Sequence, residues 1–343
     1  MEPLLSCGYN PLSAIRRYHD GSYREQDVLT LANALCPCIN SKDPIWEKSA
    51  ATYIAFLIAY CLERCPRKEQ NILSICELHR AFIQPGGDLP FIKWVAEHRD
   101  TFPARKYYEM KANEAADRMR ASIIGFVNEA LGPFEFKEAK HIFDNPWEFD
   151  IRTLGRKKTV LFLNVSDTDK TYDSLVNLFY TQALQVLCDE ADHNADSHLK
   201  VPVRIIMDDF ATSACVENFD KIISVIRSRD ISVSLILQSM TQLESLYSEA
   251  KAATIMNNCD HILYLGTQDT KTAEFISYHA FQTPETILCM PRDKAYLLTN
   301  GERAKLVDKV KPYSAVAEKV QTAQPAEYIS AINPDEEEEL PFS

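Results

Sequence analysis

Two consecutive carboxylates and one carboxamide follow short apolar runs in the second half of the sequence. The run Val203–Met207 ends in Asp208 and Asp209, and the run that begins at Ile231 leads into Gln238. A carboxylate at the end of a buried strand can hold Mg²⁺ through its water shell, and an adjacent carboxylate can polarise an attacking water. The pattern indicates phosphoryl-transfer chemistry, although many buried strands end in an acid for structural reasons alone.

Arginines lie between the two apolar runs. Arg227 and Arg229 close the intervening stretch, and an arginine there can supply positive charge to a phosphate bound by a neighbouring subunit. A carboxamide at the tip of the adjoining strand, as at Gln238, can sense that terminal phosphate. The structural alternative is an arginine that stabilises a helix C-terminus and a serine that caps the next helix. The ordered set of acids, arginine and amide favours a nucleotide site.

Strands and helices alternate after about residue 158, and this pattern must position those residues. Buried apolar runs separated by amphipathic helices predict an α/β fold with a mostly parallel sheet covered on both faces. Asn300-Gly301 predicts a hairpin between 294–298 and 303–307. The predicted strands are 159–165, 205–207, 232–237 and 261–265, and the predicted helices lie near 172–190, 217–228 and 249–257.

The first part of the chain, to about residue 145, reads as helical. Asp43-Pro44 is a helix-start signal, and the stretch from Trp46 to Leu62 is apolar on nearly all sides, which predicts a central core helix. Its longest apolar run has about 13 residues, too few to cross a bilayer. Further helices are predicted over 69–83, 88–98 and 103–131, the last ended by Gly132-Pro133.

Composition narrows the classes of function. The net charge is −12 and the pI is about 5.2, which argues against a broad basic surface for nucleic acid, so any DNA contact must be local, through a channel or loop, or be made by a neighbouring subunit. Ten cysteines lack the C-x2-C pairs of a structural zinc site, and the first residues, with a short apolar stretch and no basic start, do not predict a secretory leader. We expect reduced, buried thiols in a cytoplasmic setting. His193 and His198 lie in a polar loop, where exposure is expected rather than metal ligation.

Five separated blocks, together with Tyr9-Asn-Pro-Leu12 and Trp46, resemble the TraG/TraD family of type IV secretion coupling proteins. The resemblance spans about residues 9 to 312. The blocks are Ile205–Ala211, Ile226–Val233, Leu235–Leu243, Ile255–His261, and Tyr264–Thr267 continuing through Thr272–Ser277.

The resemblance implies a role for each matched residue. Asp208 would be the Walker B acid that holds Mg²⁺ through water, and Gln238 would sense the γ-phosphate. Asp209 stands where the family has Glu, so the carboxylate that polarises water is one methylene shorter, which puts efficient hydrolysis in doubt. Arg227 would act in trans, with Arg229 a less favoured substitute.

The resemblance also implies an organisation. The fold would be part of a RecA-like P-loop NTPase domain with an inserted all-α domain. The expected segments are 1–24, the lead-in of the nucleotide-binding domain; 25–145, the all-α domain; 146–318, the Walker B half; and 319–343, a polar and acidic tail expected to be disordered.

Partners and location follow from the same family. The full-length protein would use ATP and Mg²⁺, form a hexamer at the cytoplasmic face of the bacterial membrane, and bring relaxase-bound single-stranded DNA to the type IV secretion channel. Two other readings stay open. One is a non-catalytic module whose all-α domain binds the relaxase or relaxosome. The other is a metal-dependent nuclease built on Asp208 and Asp209, which no suitably spaced acid or histidine cluster supports.

No G-x-x-x-x-G-K-[ST] phosphate loop occurs in the sequence. Gly155-Arg-Lys-Lys-Thr159 has the wrong spacing and precedes a predicted strand, so we expect an ordinary loop there. In the family the phosphate loop and the membrane anchor lie upstream of the Tyr-Asn-Pro-Leu block. We therefore expect this sequence to be the carboxy-terminal portion of a longer protein, produced by a split gene or given in shortened form. By itself, this portion is expected to bind ATP weakly or not at all.

Overall fold

The computed structural model describes residues 6–37, 44–113, 117–145, 148–165, 170–210, 216 and 218–310. The chain forms two compact units, one up to Asn258 and one from Cys259 onward. In the first unit the elements are α1 (Glu25–Leu35), α2 (Ile45–Arg64), α3 (Ile72–Ile83), α4 (Leu89–Glu97), α5 (Phe102–Asn113), α6 (Asp117–Glu135), α7 (Lys137–Phe143), α8 (Thr153–Arg156), α9 (Asp173–Asp192), β1 (Val203–Met207), α10 (Phe219–Ile222), β2 (Ile231–Leu235), α11 (Met240–Tyr247) and α12 (Glu249–Asn257).

Helix α2 is the centre of the helical part, as its apolar character on all sides predicts. Every residue from Tyr53 to Leu62 is buried, and the helix packs against α1, α3, α5 and α6. Phe56 is fully buried among the rings of Phe82, Phe91 and Tyr107, at centroid distances of 5.3 to 6.1 Å. Aromatic contacts therefore tie three helices, α3, α4 and α5, to α2.

The predicted end of the last long helix in the helical part is wrong. Gly132-Pro133 does not end α6, which continues through Pro133 to Glu135. Proline removes one backbone hydrogen bond, but it stands in the last turn, where the cost is smallest. Leu131 and Phe134 are buried on either side of it, and Phe134 packs against Phe143 of α7 at 4.9 Å. This burial favours continuation of the helix.

Two adjacent parallel strands form the sheet of the first unit. Strands β1 and β2 pair in register from Val203 opposite Ile231 to Met207 opposite Leu235, which confirms the predicted parallel pairing. The helix predicted near 217–228 is instead the short α10 followed by a 3-10 turn over Ile226–Arg229. Asn218 and Asp230, both with positive φ, stand at the two ends of this stretch, where such an angle stops a right-handed helix.

The predicted strand over 159–165 is wrong. In the part of the chain that the structure describes, these residues pair with no strand, and Val160 and Phe162 are 77% and 83% exposed. An apolar sequence favours a strand, but a ladder requires a neighbour that supplies hydrogen bonds. No neighbour pairs with this segment among the described residues.

The second unit is a small α+β structure. Its elements are β3 (His261–Tyr264), α13 (Thr270–Ala280), α14 (Pro284–Leu288), β4 (Lys294–Thr299) and β5 (Lys305–Asp308). Its strands form an antiparallel sheet in the order β3-β4-β5, so the segment predicted as a further parallel strand pairs antiparallel. The hairpin at Asn300-Gly301 is confirmed. Glu302 N donates to Thr299 O, and Gly301 has φ 78°, the positive angle that a type II turn needs at its third residue.

Some predictions fall on residues outside this description. They include the helix-start signal at Asp43 and the tail 319–343. Among the described helices, none is both long enough and apolar enough to span a bilayer. Cys36, Cys61 and Cys76 are buried, as predicted, and burial raises the pKa of Cys76 to about 12.

Candidate functional site

The C-terminal ends of β1 and β2 bring the predicted acids and the predicted amide to one edge. Backbone bonding continues past the ends of the strands. Ile236 N donates to Met207 O, and Phe210 N donates to Ile236 O, both at 3.0 Å. These bonds fix the turn that carries Asp208 and Asp209 against the segment that leads to Gln238.

Phe210 anchors the chain directly after the acids. It is 2% exposed, stacks on Tyr247 with centroids 5.6 Å apart, and packs against Phe219 at 5.0 Å. Asp209 itself has φ 47°, in the left-handed region that Asp tolerates better than most residues. The buried ring therefore holds a backbone turn that leaves both carboxylates exposed.

The amide contacts the second acid of the pair. Gln238 Nε2 donates to Asp209 Oδ1 at 3.1 Å, and Asp209 N donates to Asp208 Oδ1 at 3.1 Å. Asp208, Asp209 and Gln238 are all exposed at this edge of the sheet. The structure thus brings together three of the four predicted site residues.

A fourth polar side chain, Gln242, joins this group and was not predicted from the sequence. Its Nε2 donates to Gln238 Oε1 at 3.3 Å, while its backbone N donates to Ser239 Oγ at 3.2 Å. Ser239-x-x-Gln242 has the spacing of a helix capping box, a signal that could have drawn attention to it. Here the Gln242 side chain bonds to the neighbouring amide.

Arg227 does not lie with the acids. It precedes β2, whereas Asp209 and Gln238 meet beyond the other end of the strand pair. Five residues of strand span roughly 16 Å. Arg229 is engaged elsewhere, because its guanidinium donates to both carboxylate oxygens of Asp192 at 2.8 and 3.0 Å. Within one subunit, therefore, neither predicted arginine lies beside the carboxylates, because both precede β2 and the acids lie beyond its other end.

The remaining predicted positions are accounted for individually. His193 and His198 are exposed, as predicted, and the Nδ1 of His198 is 2.9 Å from Asp230 Oδ2. Gly155 is not in an open loop. It lies in α8 and is buried against Leu199, where an added Cβ would meet Cδ2 of that leucine at 2.7 Å. The loop begins only at Lys157.

The donor set at the strand edge suits a hard cation. Two exposed carboxylates present oxygen ligands, which Mg²⁺ prefers, and a single carboxylate can hold Mg²⁺ while the ion keeps most of its waters. The hydrogen bond from the Gln238 amide also restricts the direction in which the Asp209 carboxylate points. The edge can therefore hold a hydrated cation and orient a base beside it.

Solved structures show the fold class. Plasmid coupling protein TrwB in complex with ADP and Mg²⁺ aligns over 89% of this chain and 72% of its own, with a TM-score of 0.65 and 15% identity. The trigonal form of TrwBdeltaN70 with sulphate has a TM-score of 0.68 and 14% identity. The chain has the predicted RecA-like α/β fold with its helical part.

The sequence comparisons show the family. Residues 2–280 match the family described as type IV secretory system conjugative DNA transfer, so the chain belongs to that family of coupling proteins. Protein VirD4 of Agrobacterium fabrum (strain C58) is 24% identical over 212 residues, 61% of this chain and 31% of that protein. VirD4 of Rhizobium rhizogenes is 23% identical over 256 residues, 70% of this chain and 37% of that protein. The chain spans about a third of the length of these relatives.

Proposed function

We propose that this chain supplies the Walker B half of the ATP site in a conjugative DNA-transfer motor. The observation that carries the proposal is the bond from Gln238 to Asp209 at the C-terminal edge of a parallel strand pair, in a chain of the coupling-protein family. TrwB, which shares the fold, has been solved with ADP and Mg²⁺.

Each residue has a role that its position supports. Asp208 would hold the Mg²⁺ water shell, and the ion would neutralise charge on the transferred phosphoryl group. Asp209 would accept a proton from the attacking water while the amide of Gln238 keeps its carboxylate in place. Gln242 would position that amide. Arg227, beyond the far end of β2, would serve the site of a neighbouring subunit in a ring.

The phosphate cradle must come from elsewhere, because the 343 residues contain no phosphate loop. Most triphosphate affinity in this class of protein comes from the lysine and the backbone N–H groups of that loop. We therefore expect the chain alone to bind ATP only at millimolar concentration or above. A titration with a fluorescent ATP analogue checks this, and micromolar affinity would contradict it.

The assembled protein would act with the partners of its family. We propose relaxase-bound single-stranded DNA as the cargo, the secretion channel as the destination, a hexameric ring as the active form, and the cytoplasmic face of the membrane as the location. The helical segment 25–145 would recognise the relaxase or other relaxosome proteins.

The test is a transfer assay with a matched control. Asp208→Asn, introduced into the complete coupling protein that contains these residues, should lower both DNA-transfer frequency and ATPase rate by roughly a hundredfold, because it weakens the metal site. Asp196→Asn removes an exposed carboxylate from a loop in the same unit and should leave both unchanged. Arg227→Ala should resemble Asp208→Asn when every subunit carries it. A subunit with wild-type Arg227 should restore hydrolysis at a neighbour's site.

The alternative is a non-catalytic recognition module. If Asp208→Asn and Arg227→Ala both transfer DNA and hydrolyse ATP at wild-type rates, the residues do not belong to an ATP site. The helical segment would then remain as the functional part of the chain.

A further inference from the structure

An arginine-lined cleft of about 1170 Å³ lies in the first unit and shares no residue with the candidate site. Three carboxylates also line it, and Asp27 and Asp150 pair with its arginines from outside the lining. Six arginines thus meet five carboxylates, which leaves one positive charge in excess on a chain whose net charge is −12. Such a local reversal of sign concentrates anions at one place. The arginines of this cleft are Arg16, Arg17, Arg24, Arg67, Arg152 and Arg156.

Four of these arginines are paired with carboxylates, and one of them, Arg24, lies 3.9 Å from Asp27. Arg16 is paired with Asp27 and Asp189, Arg156 donates to both oxygens of Glu190, and Arg152 lies 3.3 Å from Asp150. Such pairs give the wall of the cleft a fixed shape. They leave little capacity for a ligand.

Arg17 and Arg67 differ, because neither has a carboxylate within ion-pair distance among the described residues. Both side chains line the same cleft, and burial, followed by the positive charge of Arg67, lowers the pKa of Arg17. Two uncompensated cations at one cleft form an anion site that the protein itself does not fill.

Arg17 is held in place by the protein. Its Nη2 donates to Gln70 Oε1 at 2.5 Å, and Gln70 is 8% exposed. The amide nitrogen of Gln70 in turn donates to the carbonyl oxygens of Leu62 and Cys65, at 3.0 and 2.8 Å. A buried, fully bonded glutamine therefore presents the guanidinium to the cleft. This preorganisation lowers the entropy cost of binding an anion.

Tyr18 adds an aromatic surface beside these charges. It lines the cleft and is 59% exposed, at the start of a tight turn in which Tyr18 N donates to Ser22 O. An exposed aromatic ring beside arginines is the combination that binds single-stranded nucleic acid, since a base stacks on the ring and phosphates contact the cations. An acidic peptide would use the charges but would gain nothing from the ring.

We propose that this cleft binds a short segment of single-stranded DNA, with phosphates at Arg17 and Arg67 and a base stacked on Tyr18. The assignment rests on the proposed function, because DNA is the cargo of that function. It adds a contact point in the 343 residues that is separate from the ATP site.

The test is fluorescence anisotropy of the purified 343-residue chain with a labelled oligothymidylate over a series of salt concentrations. Replacing both Arg17 and Arg67 with Gln should weaken binding by roughly tenfold or more at low salt. The slope of log K against log salt should fall by roughly 1.4, because each phosphate contact contributes about 0.7. The control replaces Lys93 and Arg99, two exposed cations outside the cleft, with Gln and should keep the wild-type slope.

The aromatic contact has its own variants. Tyr18→Ala should weaken binding by roughly tenfold, and Tyr18→Phe should not, because stacking requires the ring and not the hydroxyl. A duplex of the same length should bind more weakly than the single strand, since its bases are not free to stack on the ring.

Several outcomes would overturn the proposal. They are equal losses in the cleft double variant and its control, equal or tighter binding of duplex, and displacement of the oligonucleotide by polyglutamate of matched charge. If the double variant melts early by circular dichroism, Arg67→Gln alone decides the test, since this side chain is exposed. If the cleft variants bind DNA like wild type while Asp208→Asn still lowers transfer, only this inference is contradicted. If the cleft variants lose binding while Asp208→Asn leaves transfer unchanged, only the proposed ATP site is contradicted.

Discussion

Asp209 shows how one backbone angle selects which of two neighbouring acids is engaged. Its positive φ turns the chain after Asp208, and the bond from Gln238 then falls on Asp209. Gln242 extends the contact by donating to Gln238. The hydrogen bonds run in one direction, from Gln242 to Gln238 and from Gln238 to Asp209. They end on the carboxylate because it can only accept.

A pair of substitutions tests whether these amides serve function or folding. Gln238→Ala and Gln242→Ala should each change the free energy of unfolding by less than about 0.5 kcal/mol, because the contacts are close to the surface. In the complete coupling protein, Gln238→Ala should lower the transfer frequency more than Gln242→Ala does, since Gln242 acts only through Gln238. Urea denaturation and the transfer assay measure the two effects. A larger functional loss for Gln242→Ala would contradict the order of the relay.

His79 carries the clearest pH dependence in the helical part. It is 4% exposed, with Nδ1 2.9 Å from the hydroxyl of Tyr53 and Nε2 2.9 Å from Asn128 Oδ1. Burial lowers the pKa of His79 from its usual value of 6.5, partly offset by the bond to Asn128 and the charge of Glu135. The folded state therefore binds this proton less readily than the unfolded state.

The consequence is a loss of stability in acid. The contribution of neutral His79 is fully present above about pH 6.5 and declines as the pH falls from there towards the lowered pKa of the folded state. One proton contributes at most about 1.4 kcal/mol per pH unit. Urea unfolding between pH 8 and pH 5 should show a shallower pH dependence for His79→Gln than for wild type. The exposed His141→Gln should keep the wild-type slope, and equal slopes in all three proteins would contradict the assignment.

At the scale of elements, two glycines in the helical part differ in what surrounds them. Gly125 lies in α6 and is exposed, and an added Cβ would have nothing within 4 Å. Gly87 lies in the turn between α3 and α4, where a Cβ would stand 1.8 Å from the carbonyl oxygen of Ala81. The first is replaceable, whereas the second is required by a close backbone approach.

Alanine at the two positions should have opposite effects. Gly125→Ala should raise the free energy of unfolding by about 0.8 kcal/mol, because alanine is the better helix former. Gly87→Ala should lower it by about 2 kcal/mol, because the backbone of α3 must shift to admit the methyl group. Urea titrations followed by circular dichroism measure both changes. A neutral or stabilising Gly87→Ala would show that this turn rearranges freely.

Elements with strong local signals form as the sequence predicts. Helix α2 forms because its long apolar run contains no proline or glycine and is stable only when buried on all sides. The hairpin forms because Gly301 admits a positive φ. Elements whose existence depends on a partner are less predictable. The segment 159–165 has the composition of a strand, yet no strand of the described chain pairs with it.

At the scale of the molecule, that unpaired segment places apolar surface in water. Val160 and Phe162 are mostly exposed, and Ile206 on the outer face of β1 is 62% exposed. Parallel strands are normally covered on both faces. Exposed apolar side chains on backbone without ladder partners favour pairing with another chain.

The purified chain should therefore self-associate. Replacing Val160 with Thr and Phe162 with Ser should shift the mass measured by light scattering towards the monomer at equal concentration. The melting temperature should stay within about 2 °C, because exposed residues contribute little to stability. Tyr108→Ser removes a half-exposed ring from the helical part and should leave the association unchanged. Unchanged association in the double variant would place the self-association surface elsewhere.

By itself, the sequence determined the family, the parallel pairing of 203–207 with 231–235, the core helix and the residues at the strand tips. Each of these is encoded locally, in the period of apolar residues, in turn residues, or in the order of short motifs. The tertiary structure alone decided which acid meets Gln238, that Gln242 joins it, that Arg227 lies beyond the opposite end of β2, and that arginines from separate segments line one cleft. Those features depend on distances between residues far apart in the chain, which periodicity does not record.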